Sequence, residues 1–375
     1  MKKFFLILGA FCALVTTGCE APLNTQGIPA DAVGIFHADI EALNKTESFK
    51  VAGKNGILQR IAESFGSERK NKKLKKDTGF DPWVSLLDVT VGFLPPEVKK
   101  SSSGKIESPR RGPPEATIIV ARGTFAPEKI RAYIANEQGK KNVKTHTIGK
   151  HEFIEVNREI LGSRGFLLFI DAKTAVFVLG NKSDSWLSSS RSKEILKTVA
   201  DTLDGKAKAY VPPASLTAFA AQTGTPVALL YFDLAQFQIP KLQFPALPTK
   251  VHFALGNDSG TLKLRGIADF ASEESLAGAL VPIHGGLGFL RAELAQNHAR
   301  ATKNLDDYSE RRKKEAVTDL KLYREVSELL SSVIIGNEEK AATLRVDYSD
   351  ASLVNLANTL GLLLPKAKAN DDDDD

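Results

Sequence analysis

The side chains able to do chemistry are scattered along this chain, and no spacing completes a catalytic site. Ser-x-x-Lys, the spacing of a lysine-assisted serine nucleophile, occurs at Ser67–Lys70, Ser102–Lys105 and Ser190–Lys193. All three lie in Ser/Lys-rich stretches and lack a Lys-Thr-Gly partner, so they read as chance. G-x-S-x-G, H-E-x-x-H, P-loop and C-x-x-C patterns do not occur. Of six histidines, His146 and His151 flank a turn at 148–150 and could face one another across a hairpin. A metal there would need a third ligand, nominally Glu152 or Glu155, and ordinary turn histidines are expected instead. His37 reads as a packed strand residue. His284-Gly285-Gly286-Leu287-Gly288 completes no G-x-G-x-x-G and reads as a point of close backbone packing. Asp39 and Asp233 recur at matching places in the two halves, which would suit paired carboxylates. Capping the turn after a strand explains that recurrence more simply. The expectation is no catalytic residue, no metal ligand and no cofactor.

The remaining reactive group is a thiol. Lys2 and Lys3 precede an uncharged apolar run from Phe4 to Val15 that ends in small residues, the layout of a secretory signal peptide. The run is shorter than the roughly 20 apolar residues needed to span a bilayer. Thr16-Thr17-Gly18-Cys19 resembles the lipobox of bacterial lipoproteins, with Thr16 where that family usually has Leu. The resemblance implies removal of residues 1–18 and lipid attachment at Cys19, with about three acyl chains on the new N-terminus. At about 0.8 kcal/mol per buried CH₂, two or more chains hold a protein stably on a membrane. Two rival readings stand beside it: cleavage after Ala21, which leaves the body free, and a retained N-terminal helix. Cys12 is the only other cysteine and lies within the apolar run, so an exported body has no disulfide framework. Its fold must rest on an apolar core, which a chain of 375 residues is long enough to bury.

With 42% apolar and 25% charged residues the composition is that of a globular protein rather than a disordered one. Positive charge is clumped at 69–76, at Lys99, Lys100, Lys105, Arg110 and Arg111, and at 311–314. Such clusters could meet anionic headgroups or envelope polymers, but none is interleaved with the aromatics of a nucleic-acid platform. Solvated loops and helix faces are the expected reading, and no nucleic-acid partner is expected.

Hydrophobic periodicity gives the plan that must carry these residues. Residues 20–28 read as a flexible tether within a 19–29 linker, and 33–38 as a strand running into a short helix capped by Asp39. A helix is expected over 54–66, an exposed basic extension to Lys76, strands at 88–93 and 117–125, and a long polar loop over 95–114. Pro127 opens a helix to about Gln138. Hairpin pairs follow at 144–148 with 151–156 and at 166–171 with 174–180, and Ser183-Asp184 starts a helix to about Leu203. The second half repeats the plan. Val33-xxxxx-Asp39 is matched by Val227-xxxxx-Asp233, Arg122-Gly123 by Arg265-Gly266, and Ser183-Asp184-xx-Leu187 by Ser349-Asp350-xx-Leu353.

The resulting expectation is an α+β fold of two related lobes, each an antiparallel sheet with helices packed on one face. The first spans 30–211 and the second 225–365, joined by 212–224. A helical hairpin is inserted at about 273–332, and 366–375 forms a disordered acidic tail. The expected role is a membrane-anchored cell-envelope lipoprotein, body in the periplasm or outside the cell, working as a non-catalytic interaction or scaffold protein. Its partners would be the membrane through Cys19, and another envelope protein or an anionic polymer. A ligand-binding protein using an inter-lobe cleft, or an envelope hydrolase whose site is dispersed in sequence, are the alternatives.

Overall fold

The computed structural model describes residues 23–57, 68–95, 114–139, 143–156, 164–180, 189–236, 247–305 and 308–363. Cys19, Ser102–Lys105, Ser67, the Ser183-Asp184-xx-Leu187 match and the acidic tail lie outside them. The fold is α+β: antiparallel strands join into one 12-stranded sheet, ordered β11-β12-β10-β9-β8-β1-β2-β3-β7-β6-β5-β4. The first half supplies β1 (Gly34–Asp39), β2 (Leu86–Phe93), β3 (Ala116–Gly123), β4 (Thr145–Ile148), β5 (His151–Val156), β6 (Gly165–Phe169) and β7 (Thr174–Gly180). The second supplies β8 (Thr225–Asp233), β9 (Lys250–Asp258), β10 (Thr261–Asp269), β11 (Val333–Glu338) and β12 (Ala341–Ser349).

Each half begins with three strands paired in chain order, then makes a helical excursion. The first half closes with four strands, β4 to β7, and the second with the hairpin β11–β12, and in both the last strand returns beside the third. The halves meet through β1 and β8, which pair antiparallel with Phe36 opposite Leu230. Those two residues are also counterparts when Val33 is matched to Val227. The two halves are therefore joined edge to edge around that pair, which removes an exposed edge from each. The Arg122-Gly123 and Arg265-Gly266 match lies on the third strand of each half, and both strands run into a helix as expected. β3 ends at Gly123 before a helix at Pro127–Gln138, and β10 ends at Asp269 before one at Glu273–Lys303.

The helices are α1 (Ile40–Asn44), α2 (Glu47–Lys54), α3 (Glu68–Thr78), α4 (Pro82–Ser85), α5 (Pro127–Gln138), α6 (Ser190–Leu203), α7 (Ala214–Ala220), α8 (Glu273–Lys303), α9 (Glu310–Ser331) and α10 (Asp350–Leu363). Local chemistry sets several of their starts. The Ala42 N–H donates to Asp39 Oδ1 at 2.7 Å, Phe49 to Thr46 Oγ1 at 3.0 Å, and Ser352 to Ser349 Oγ at 3.1 Å. Pro127 occupies the first turn of α5, where its missing N–H costs nothing. The basic run expected as an extension is helical, because lysine and arginine are good helix formers. Two of its lysines are paired, Lys73 with Glu137 and Lys75 with Asp81.

The core has two sides in the first half, which corrects the expected one-sided cover. Ile118, Val120, Phe153, Phe166, Val176 and Val178 pack under α6, while Ala121, Ile154, Leu167 and Ala175 pack under α5 on the opposite face. Strand alternation makes this possible, because both parities are apolar. In the second half α10, together with α1 and α2, covers one face over Leu255, Leu262, Val346 and Tyr348. The short α7, within the expected connection, covers Ala254 and Leu229 on the other.

The tether is also shorter than expected. Leu23 packs against the first core cluster and Ile28 is fully buried. Ile28 occupies the space that a side chain at Gly92 would take, and its carbonyl accepts the Tyr210 N–H at 2.8 Å. An isoleucine with so much apolar surface to bury does not stay in a flexible linker.

Candidate functional site

The candidate residues named from sequence do not converge. Asp39 and Asp233 sit at opposite ends of the β1–β8 pair, about 20 Å apart at ~3.3 Å per residue, so they share no chemistry. Each holds a turn: Asp39 caps α1, and Asp233 Oδ1 accepts the Ala235 N–H at 3.2 Å. His146 and His151 are not directly opposite, since His146 pairs with Phe153 and His151 with Ile148. They go to different carboxylates, His146 Nε2 lying 3.3 Å from Glu155 and His151 Nε2 2.9 Å from Asp204. Asp204 also meets Lys150 and Lys206, and these hydrogen bonds hold its carboxyl well below the usual range. Ser190 and Lys193 stand exposed in the first turn of α6, whose cap is Ser189. Among the described residues no group of three His, Cys, Asp or Glu could hold a metal. His37 is packed as expected, buried on β1 with Nδ1 2.9 Å from Thr90 Oγ1.

The 273–332 insertion is a pair of helices that touch along their length. Contacts run in a row from α2 to α10, from α10 to α9 and from α9 to α8, which makes α8 the outermost member. Only its first turns are buried, Leu276 and Ala279 packing against Phe270, Ala268 and Ala342. Beyond Leu280 its contact is a seam: Leu287, Leu294, Asn297 and Ala301 are half-buried and most of their neighbours are exposed. Arg291 pins this part down by donating from Nη2 to the carbonyls of Leu330 at 2.7 Å and Val333 at 3.0 Å. A guanidinium on the Leu330 carbonyl, in the last turn of α9, also suits that helix's negative end.

Between Glu274 and Arg291 α8 carries no Asp, Glu, Lys or Arg. In this span Val281 is 74% exposed and Phe289 67%, with Ile283 and Leu290 also exposed. The glycines at 285, 286 and 288 do not mark close packing, since a side-chain atom added at any of them would meet nothing within 4 Å. Glycine there leaves the helix surface open rather than allowing another backbone to approach. The start of the helix is fixed locally: the Ser275 N–H donates to Ser272 Oγ at 3.2 Å, and Glu273 and Glu274 lie in the first turn. Ser272→Ala should cost about 1 kcal/mol in urea unfolding, the ordinary loss of an N-cap.

A second feature was not legible in the sequence. A cavity of about 400 Å³ opens on the second half of the sheet, beside α7. Its walls include Phe219, Ile267 and Tyr231, and Lys250, His252 and Asp269 also line it. Tyr231 and His252 are cross-strand neighbours whose rings meet edge to face at 5.0 Å. Burial pushes the Tyr231 hydroxyl up and the His252 imidazole down, Asp269 opposing the latter. These residues come from four elements and form no local motif.

The fold is thus an antiparallel α+β sheet with a helical hairpin on its second half and a cavity beside α7. No protein-family model and no curated protein matches the sequence. Among solved structures it is similar to crystal form I of TP0453, at 11% identity over 92% of this chain and 100% of that one, with a TM-score of 0.40. Crystal form III of TP0453 gives 10% identity, 92% and 99% coverage, and a TM-score of 0.42. The functional reading rests on the residues of this chain.

Proposed function

We propose that this chain is a lipid-anchored protein of the bacterial cell envelope that docks another envelope protein on the outer face of α8, and that it acts by attachment rather than catalysis. The observation that supports docking is the uncharged stretch of α8 between Glu274 and Arg291, with Val281 and Phe289 largely exposed. An outermost helix ordinarily turns charged and polar residues to water. Grouped exposed apolar residues instead mark contact surfaces. Anchoring follows from the lipobox-like segment ending at Cys19, and among the described residues no helix is long and apolar enough to cross a membrane.

The test places a photoreactive amino acid at position 289 of the full chain in cells. A discrete adduct with one envelope protein, lost in Val281→Asp, is expected. Adducts to lipid alone, or none, would reject the docking surface. Palmitate-analogue labelling that persists unchanged in Cys19→Ala would separately reject the anchor.

A further inference from the structure

The cavity beside α7 has features that the attachment role leaves unused. Its apolar side is built by Phe219 from α7, Ile267 from β10 and the ring of Tyr231 from β8. Its size falls in the range of small-molecule sites, roughly 300–1,000 Å³. The walls are held from behind: Phe219 packs with Ala254, and Thr223 Oγ1 donates to the Ala220 carbonyl at 2.7 Å to close the end of α7. The backbone of Asp269 is fixed by Thr249, whose N–H and Oγ1 reach its carbonyl at 2.7 and 3.1 Å.

The charges at the rim fall in one cross-strand row, Asp233 opposite Lys250 and Lys250 opposite Asp269. Two carboxylates flank one ammonium, so the row carries one net negative charge. Asp269 is the carboxylate that lines the cavity. His252 Nε2 lies 3.9 Å from Asp269 Oδ2, beyond hydrogen-bonding reach, and burial favours the uncharged imidazole. The histidine therefore leaves the carboxylate's charge in place. Tyr231 also lines the cavity, and an aromatic ring carries a quadrupole whose negative face attracts cations.

We infer that this cavity binds a small organic cation, a primary ammonium carried on a flat apolar body, with Asp269 taking the ammonium and Tyr231, Phe219 and Ile267 the body. An anion of the same shape is disfavoured by the same carboxylate. Lys250 then works against the ligand, an unusual role for a residue lining its own site. Charge discrimination at a half-exposed rim is worth about tenfold in affinity.

The test uses the purified full chain and two probes of one shape and opposite charge, tryptamine and indole-3-propionate, followed by NMR titration. Tryptamine should shift the ring resonances of Tyr231 and His252, and indole-3-propionate should bind at least about tenfold more weakly. Asp269→Asn should remove most of that preference, and Lys250→Met should strengthen tryptamine binding several-fold. Equal binding of the two probes, no binding of either, or shifts confined to residues away from the cavity would overturn the assignment. So would tryptamine binding that Asp269→Asn leaves unchanged in a variant whose melting temperature matches wild type.

Discussion

Arg122→Met should destabilise the protein by about 3 kcal/mol, measured by urea unfolding, although Arg122 touches neither the hairpin nor the cavity. Its guanidinium donates from Nε to Asp88 Oδ2 at 2.6 Å, with Nη2 at 2.5 Å. The Asp88 side chain is only 3% exposed, whereas that of Arg122 is 34% exposed. Asp88 is also the cross-strand neighbour of Asp39, itself buried. Without the guanidinium, two carboxylates on adjacent strands face each other out of water, and like charges directly opposite repel. Asp88 Oδ1 already lacks a hydrogen-bond partner among the described residues, so no spare donor stands ready to compensate. The charge left behind sets the cost, not the methylenes lost. Accordingly Asp88→Asn combined with Arg122→Met should recover most of the loss. A cost below about 1 kcal/mol for Arg122→Met alone would mean the pair behaves as a solvated surface bridge.

That pair shows where sequence reasoning reaches its limit. Local signals were legible because their causes are local. Asp39 caps the helix it was expected to cap, Pro127 opens a helix that closes at Gln138, and both first-half hairpins fall where alternation put them. The pairing of Phe36 with Leu230 has no local signature, yet it is what makes one sheet of two halves. Cover on both faces of the first half was visible in principle, since β3 carries apolar residues at both parities, but a run of that kind does not say which helix lies where. The glycines of α8 misled for a related reason. Glycine marks either close approach or open surface, and only the neighbours decide which. Ile28 shows the reverse error, a buried anchor hidden in a polar stretch. The cavity was illegible because Phe219, Tyr231, His252 and Asp269 are brought together only by strand register and the seating of α7.

Acid should weaken the fold through His37, and His37→Gln should remove that sensitivity. The imidazole is 4% exposed, and burial lowers its pKa to about 4 from 6.5, with Arg122 adding to the depression and Asp88 opposing it. The unfolded chain takes up a proton at His37 below about pH 6.5, whereas the folded protein does so only near pH 4. The stabilisation from keeping this ring neutral is therefore complete above pH 6.5 and is lost progressively down to about pH 4. A gap of this size corresponds to about 3 kcal/mol at the acid end. Asp39 acts in the opposite sense: burial raises its carboxyl, so its contribution is present in acid and lost as pH rises through its folded value. Comparing wild type with His37→Gln at each pH cancels Asp39 and isolates the histidine. The difference in unfolding free energy should be flat above pH 6.5 and shift by about 3 kcal/mol in the variant's favour by pH 4. Parallel curves across that window would show that water or a neighbouring carboxylate reaches the ring and lets it charge in place.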